Sequence, residues 1–322
     1  MIQEESTKEF DKFQSFIYLD WCVFSDLAHI LEHIEGKKYK FENIICEYLK
    51  DFIFDENYCF PYSEGHLQDI TRGNGEKHKD FENRATGRLQ KLSRGWKISE
   101  DSLDHEKARV DKCLDMFEDV VDTRKAQSFV KSTQDLYWSF VKPVINNKSK
   151  TQNQINPKYF LPSDSINSWD SFIKSSYEYL IDHSLERNTN ISAKIPFMSR
   201  MDIIEFINNK LLNSDYQFKS IDEYEKVFTN NNFHKNISKF SSEVNKISCL
   251  CDIVGLTHES SKASTFPYNL ITDTSPHLTL GLRANAFFTK DKQLIYKAII
   301  CKRWLDLSVN IFLIENYNCI LY

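Results

Sequence analysis

The stretch that decides the fold runs from Asp273 to Asp291 and reads DTSPHLTLGLRANAFFTKD. Its first acid precedes a proline-marked helix start, and HLTLGLRA predicts a short helix. The compact apolar run AFF predicts a buried strand that ends on Thr289-Lys290-Asp291. An acid at the end of such a strand lies at the carboxyl edge of a sheet, where open α/β sheets bind their ligands. Two carboxylates at this edge repel each other unless a proton or a cation stabilises them.

The same pattern of an apolar run that ends on an acid occurs near the start of the chain, where FIYL is followed by Asp20. The segment CVFSDLAHILEHI that follows has apolar residues at helical spacing, and FENIICEYLKDFI predicts a second helix. YCFPY, at 58–62, predicts another strand. Ser63 is then the N-cap of a helix that carries His66 and Asp69 on one face, since they are three residues apart.

A long helical block is predicted between residues 72 and 256, and the polar stretch 146–158 is its best candidate for a flexible connection. The chain closes with a loop over 258–272, the decisive stretch, a helix over DKQLIYKAIICKRWLDL and a last strand, VNIFLI. Predicted helices of the block are 78–93, 101–141, 169–186, 199–212, 220–228 and 234–254. Strands that alternate with helices predict an α/β fold with a mostly parallel sheet.

Composition indicates a soluble, cytoplasmic protein. The net charge of −5 offers no global basic field for nucleic acid, although a nuclease's own acids would lower the total. The eight cysteines are scattered and form no CxxC pair, so we expect reduced thiols and no zinc site. The polar, acidic N-terminus is typical of neither a signal nor a transit peptide. No apolar run approaches the roughly 20 residues of a membrane span, so no membrane partner is expected.

Four acids follow or precede elements that right-handed crossovers bring to one edge of the sheet. They are Asp20, Asp69, Asp273 and Asp291. Four carboxylates without matching bases require a hard cation, and sets of oxygen ligands suit Mg²⁺ or Mn²⁺. A cation in such a site lowers the pKa of bound water and neutralises charge on a phosphate during in-line displacement. Asp26 is an alternative to Asp20, one and a half turns further on.

This layout resembles PIN-like nuclease domains, the fold of bacterial toxin ribonucleases and of flap-endonuclease relatives. The matching pieces are the strand ending on Asp20, YSEGHLQD with Asp69, Asp273 at a late helix start, and TKD ending on Asp291. The separation 291 − 273 = 18 agrees with the helix and strand between these acids in the family. Thr289 matches the family's Thr-x-Asp, whose hydroxyl orients the neighbouring acid.

The resemblance implies a PIN-like domain interrupted by a large helical insertion. Its parts are a polar leader (1–15), a first PIN-like part (16–71), the insertion (72–256) and a second PIN-like part (257–322). The insertion is far longer than the corresponding part of a small PIN toxin, and it is the expected surface for a protein partner or antitoxin.

The resemblance also implies the activity. We expect a Mg²⁺- or Mn²⁺-dependent endoribonuclease that hydrolyses phosphodiester bonds to 5′-phosphate products, acting as a toxin or phage-defence effector. All four acids are expected to hold the metal or orient the attacking water. His66 either packs and caps, or reaches the metal-bound water or a phosphate. Lys290 and Lys292 either contact phosphate or lie in a solvated turn.

Other interpretations stay open at this point. The nuclease could act on single-stranded or flap DNA, because nothing in these residues reports a contact to a 2′-hydroxyl group. Alternatively, the chain is a non-catalytic interaction protein whose helical block binds a partner. Arg72 and His78 have the spacing of all-helical HEPN ribonucleases, but two glycines between them disfavour the helix that such a motif requires. The same Gly-Asn-Gly follows no strand and is no phosphate loop.

Overall fold

The computed structural model describes residues 15–34, 49, 57–71, 76–99, 110–112, 116, 119–120, 122–123, 192–213, 219–229, 238–254, 256–257, 276–315 and 318–322. Its main sheet has four strands in the order β1-β4-β5-β6. Their bounds are β1 Ile17–Leu19, β4 Ala286–Thr289, β5 Asn310–Glu315 and β6 Asn318–Leu321. A separate antiparallel pair joins β2 Trp96–Ile98 to β3 Val110–Lys112.

Helices surround the sheet in the described part of the chain. Their bounds are α1 Trp21–Ile34, α2 Glu64–Thr71, α3 Glu76–Ser93, a 3₁₀ helix Ser192–Phe197, α4 Arg200–Leu212, α5 Ile221–Thr229, α6 Lys239–Ile253, α7 at 276–281 and α8 Lys292–Trp304. The predicted helices over 23–34, 64–69, 78–93, 199–212, 220–228 and 234–254 are confirmed in type, and so are those in the decisive stretch and after it.

Three of the four strands are parallel, which confirms the expected α/β fold with a mostly parallel sheet flanked by helices. β1 pairs with β4 so that Leu19 lies opposite Phe288, and β4 pairs with β5. The carboxyl ends of β1 and β4 therefore meet at one edge. β6 is antiparallel to β5 and was not expected from the sequence.

Alternate residues of the strands enter two separate cores, because side chains of a strand point to opposite faces of the sheet. Tyr18 and Phe287 lie in the core on one face, together with 3₁₀-helix, α4, α5, α6 and α8 side chains. Leu19 and Phe288 lie in the core on the other face, with residues of α1, α2 and α3. Since apolar side chains cover both faces, the runs FIYL and AFF are apolar throughout.

Two expectations, one before the helical block and one within it, differ from the structure. Residues 58–62 form isolated bridges at Cys59 and Tyr62, not a strand, because each meets a different neighbour. The helix expected over 101–141 is wrong at 110–112, where β3 pairs with β2. These two strands are three residues long, too short for a periodic signal.

Other expectations lie outside the described residues. They are the leader at 1–14, most of the helix over 41–53, the connection 146–158, the helix over 169–186 and the loop over 258–272. The division into domain parts stays a prediction. The described helices between 192 and 253 share a core with the sheet.

Cys22, Cys59, Cys251 and Cys301 are free thiols. Cys319 forms a disulfide bond, so the expectation of reduced thiols is wrong at this residue, because spacing in sequence does not show which sulfurs approach in space. In the described part of the chain, no helix combines the length and the apolar character that crossing a membrane requires.

Candidate functional site at the carboxyl edge of the sheet

Asp20 lies directly after β1 and begins α1. Its N–H donates to the carbonyl of Phe288 at 2.9 Å, which extends the parallel pairing one residue beyond β1. Its side-chain Oδ1 accepts a hydrogen bond of 2.6 Å from the N–H of Cys22, and its carbonyl accepts one of 2.9 Å from Phe24. These are the bonds of a helix N-cap. Asp20 is only 6% exposed, so this cap is buried.

Thr289 connects the ends of β1 and β4. Its hydroxyl donates to Oδ2 of Asp20 and accepts a hydrogen bond of 2.9 Å from the N–H of Asp291. The sequence predicted that this threonine would orient the neighbouring acid. The carboxylate that receives its proton is instead Asp20, which is 269 residues away in the chain.

Asp291 is the exposed N-cap of α8. Its Oδ1 accepts hydrogen bonds of 2.7 Å from the N–H of Gln293 and 3.3 Å from that of Leu294. An acid at a helix N-terminus is favoured by both the free N–H groups and the helix dipole. Capping therefore accounts for one oxygen of Asp291, and the metal role expected for this acid stays a prediction.

Asp69, on α2, is paired with a histidine that the sequence analysis did not single out. Nε2 of His277 lies 3.0 Å from Oδ2 of Asp69, and the two side chains are 8% and 15% exposed. His277 belongs to α7, inside the decisive stretch and four residues after Asp273. His277 is also the first residue of the predicted helical run HLTLGLRA, and this histidine within the decisive stretch was the signal that could have found it.

Tyr18 links His277 to the interior of the protein. Its hydroxyl lies 2.9 Å from Nδ1 of His277 and 2.7 Å from the hydroxyl of Ser63. From the sequence alone, Tyr18 is a strand residue and Ser63 is a helix cap. Neither role indicated a polar chain that leads to the candidate site.

His66 is fully buried, and both of its ring nitrogens have partners inside the protein. Nε2 lies 2.7 Å from the carbonyl of Leu19, and Nδ1 accepts a hydrogen bond of 3.0 Å from the N–H of Ser63. Burial lowers the pKa of His66 to about 3, with a smaller contribution from the charge of His277. These contacts correspond to the packing and capping role for His66, while His277 contacts a site acid.

Desolvation is the largest influence on the pKa values at this edge. Burial raises the pKa of Asp20, and the charge of Asp69 raises it further, against lowering by His277 and by the hydrogen bonds from Thr289 and Cys22. The pKa of the Cys22 thiol rises to about 12, first through desolvation and then through acids that include Asp20 and Asp69. Asp20 and Asp69 are therefore close enough for their charges to interact.

The two lysines named as phosphate contacts both form ion pairs. Lys290 pairs with Asp26, and both side chains are largely exposed. Nζ of Lys292 lies 2.5 Å from Oε1 of Glu315. Asp26 therefore forms an ion pair at the surface and does not share the buried position of Asp20. The phosphate contacts stay predictions.

Among the predicted site residues, the structure brings Asp20, Asp69 and Thr289 into one neighbourhood, with Asp291 joined through the Thr289 hydroxyl. Asp273 lies outside the described residues. Across those that are described, no group of three or more His, Cys, Asp or Glu residues could hold a metal ion. Asp20 and Asp69 are both oxygen donors, which fits a hard divalent cation, and further ligands would have to complete the set.

Comparisons with known proteins give no relative from which a function could be transferred. No protein-family model, no curated protein and no solved structure matches the chain. Function is therefore inferred from the residues of the site itself.

Proposed function

We propose that this protein is a PIN-like, Mg²⁺- or Mn²⁺-dependent nuclease that hydrolyses phosphodiester bonds to 5′-phosphate products, with RNA favoured over DNA. The observation that carries the proposal is the burial of Asp20. This carboxyl is 6% exposed, and burial raises its pKa. A buried acid beside a second acid is costly unless a proton or a cation compensates its charge.

Asp20 and Asp69 would hold the metal, with Asp273 and Asp291 as the predicted remaining ligands. When bound, a divalent cation would supply charge neutralisation at the phosphate and lower the pKa of the attacking water. The chain's own residues hold the two acids in place. Thr289 and Cys22 each donate a hydrogen bond to Asp20, and His277 contacts Asp69.

The resemblance to PIN-like domains favours an endoribonuclease that acts as a cytoplasmic toxin or phage-defence effector. The large helical block between 72 and 256 would then be the insertion that binds an antitoxin or another protein. One observation favours a partner there: Phe197, Met201 and Leu212, at the 3₁₀ helix and α4, are 88%, 70% and 63% exposed. Large exposed apolar side chains are a feature of interaction surfaces when they form one patch.

A cleavage assay on labelled single-stranded RNA, single-stranded DNA and flap DNA tests the proposal. Wild-type protein is assayed with Mn²⁺, Mg²⁺ or EDTA, beside an Asp20→Asn, Asp291→Asn double variant. We expect RNA cleavage that requires the metal and is lost in the double variant. Cleavage of DNA alone would correct the substrate. Full metal-dependent cleavage by the double variant would refute the proposed site.

The same assay separates the nuclease from the interaction protein. A folded wild-type chain that cuts no substrate with either metal, and whose unfolding temperature does not respond to Mn²⁺, would favour the non-catalytic alternative. In that case the buried acids would belong to the fold alone.

A further inference from the structure

The contact between His277 and Asp69 has a defined donor and acceptor. Nε2 of His277 lies 3.0 Å from Oδ2 of Asp69. An ionised carboxylate only accepts hydrogen bonds, so Nε2 carries the proton in this contact. The second ring nitrogen, Nδ1, lies 2.9 Å from the hydroxyl of Tyr18, which donates to a neutral imidazole and accepts from a protonated one.

The hydroxyl groups of Tyr18 and Ser63 connect His277 to the buried His66. The hydroxyl of Tyr18 also lies 2.7 Å from that of Ser63, and the Ser63 oxygen lies 3.0 Å from Nδ1 of His66. The N–H of Ser63 in turn donates to Nδ1 of His66, whose Nε2 contacts the carbonyl of Leu19. Tyr18, Ser63 and His66 are each 0% exposed, so water does not compete for these bonds.

Gly65 fixes the place of the His277 ring. A Cβ atom at this position would lie 3.0 Å from both Cε1 and Nε2 of the ring, closer than an ordinary van der Waals contact. The imidazole therefore rests against α2, the helix that also carries Asp69. Any residue larger than glycine would push the ring from the position in which it contacts Asp69.

We infer that His277 is a positioning residue for Asp69: its Nε2–H donates to the carboxylate, and the hydroxyl of Tyr18, itself in contact with that of Ser63, holds the ring at Nδ1. The inference stands on the hydrogen bonds and on the contact at Gly65. Its consequence for cation binding rests on the proposed nuclease function. Loss of an outer partner of a metal-ligating carboxylate typically lowers metal affinity or activity about 10- to 100-fold.

The first experiment measures binding of Mn²⁺ alone by calorimetry. His277→Leu removes the donor, and we expect Mn²⁺ affinity to fall about 10- to 100-fold. His277→Gln keeps an amide N–H donor and should recover most of that loss. Gly65→Ala should act in the same direction as His277→Leu. Gly87→Ala is the matched control, because no atom lies within 4 Å of a Cβ built there, and it should bind as wild type does.

The second experiment is independent of metal and activity. Ring-nitrogen NMR of the wild type should show Nε2 of His277 protonated. The carboxyl carbon resonance of Asp69 should move in His277→Leu and return in His277→Gln. If the leucine variant does not fold, Tyr18→Phe replaces it, since it keeps the ring and removes only the hydroxyl that contacts Nδ1 of His277.

The outcomes are distinguishable from those of the nuclease proposal. A proton on Nδ1 with a bare Nε2 would overturn the inference. So would an unchanged Asp69 resonance in a folded His277→Leu protein that binds Mn²⁺ as wild type does. If the wild type binds no Mn²⁺ and cuts no substrate, the nuclease proposal fails. The two NMR observations then decide the positioning role by themselves.

Discussion

The ends of β1 and β4 use the same residue type for the same local task and yet reach opposite environments. Asp20 and Asp291 each follow a parallel strand and cap the helix that begins next. Asp291 is exposed, whereas Asp20 is buried. Thr289 lies between them, donating its hydroxyl proton to Asp20 and accepting the N–H of Asp291.

This difference gives the two acids unequal weight in the proposed site. An exposed acid is sufficient to cap a helix, as Asp291 shows. Burying Asp20 adds a desolvation cost and does not improve the cap. Costs of this kind are concentrated at functional sites, so the environment of Asp20 is the stronger indication of chemistry.

The largest expected effect is a difference in cleavage between the two acids. Asparagine is also a good N-cap, so Asp20→Asn and Asp291→Asn should both fold. We expect the initial rate on labelled RNA with Mn²⁺ to fall more than about 100-fold in Asp20→Asn, beyond what an outer partner costs, and about 10-fold or less in Asp291→Asn. Equal losses of rate would show that Asp291 contributes to cleavage as much as Asp20 does, despite its exposure and its role as a cap.

Removing the hydroxyl between the two acids should destabilise the protein. Thr289→Val keeps the side chain's size but takes a donor from Asp20 and an acceptor from the N–H of Asp291. We expect the free energy of unfolding to fall by about 1.5 to 3 kcal/mol, the range for hydrogen bonds to charged groups. Thr289→Ser, which keeps the hydroxyl, is the control and should lose less. Urea unfolding measures both, and equal losses would assign the effect to packing.

The third prediction concerns pH in the absence of divalent cations. Burial raises the folded-state pKa of Asp20 above 3.8, so the stability from its protonated form is present below that pH and is lost as pH rises through the folded pKa. Asparagine does not titrate. As pH rises through this window, the free energy of unfolding of Asp20→Asn should therefore increase by about 1 to 3 kcal/mol relative to that of the wild type. Urea unfolding in EDTA at a series of pH values checks this, and a pH-independent difference would contradict it.

The smallest expected effect is loss of an exposed cap. Asp291→Ala should lower the free energy of unfolding by about 1 kcal/mol, since two N–H groups of α8 lose their acceptor. Asp291→Ser restores an acceptor. Ser199→Ala, at the exposed start of α4, removes a comparable cap and should cost a similar amount. A much larger loss at Asp291 would mean that its carboxylate does more than cap.

Part of the site could be predicted from the sequence because its signals are local. A strand that stops on an acid is visible in FIYLD and in AFFTKD, and helical spacing placed Asp69 on α2. The same local view missed His277, because its partner Asp69 is 208 residues away in the chain. The local pattern Thr-x-Asp also predicted that the Thr289 hydroxyl orients Asp291. In the structure this hydroxyl donates its proton to Asp20, on the neighbouring strand's end.

The sequence by itself determined the α/β class, the apolar runs of β1, β4 and β5, and most described helices, since periodicity is a property of consecutive residues. Only the tertiary structure decided which strand-end acid is buried, which histidine contacts the site and where short strands such as β2, β3 and β6 pair. Those outcomes depend on contacts between distant segments. Burial and hydrogen-bond partners exist only once the two faces of the sheet have been covered.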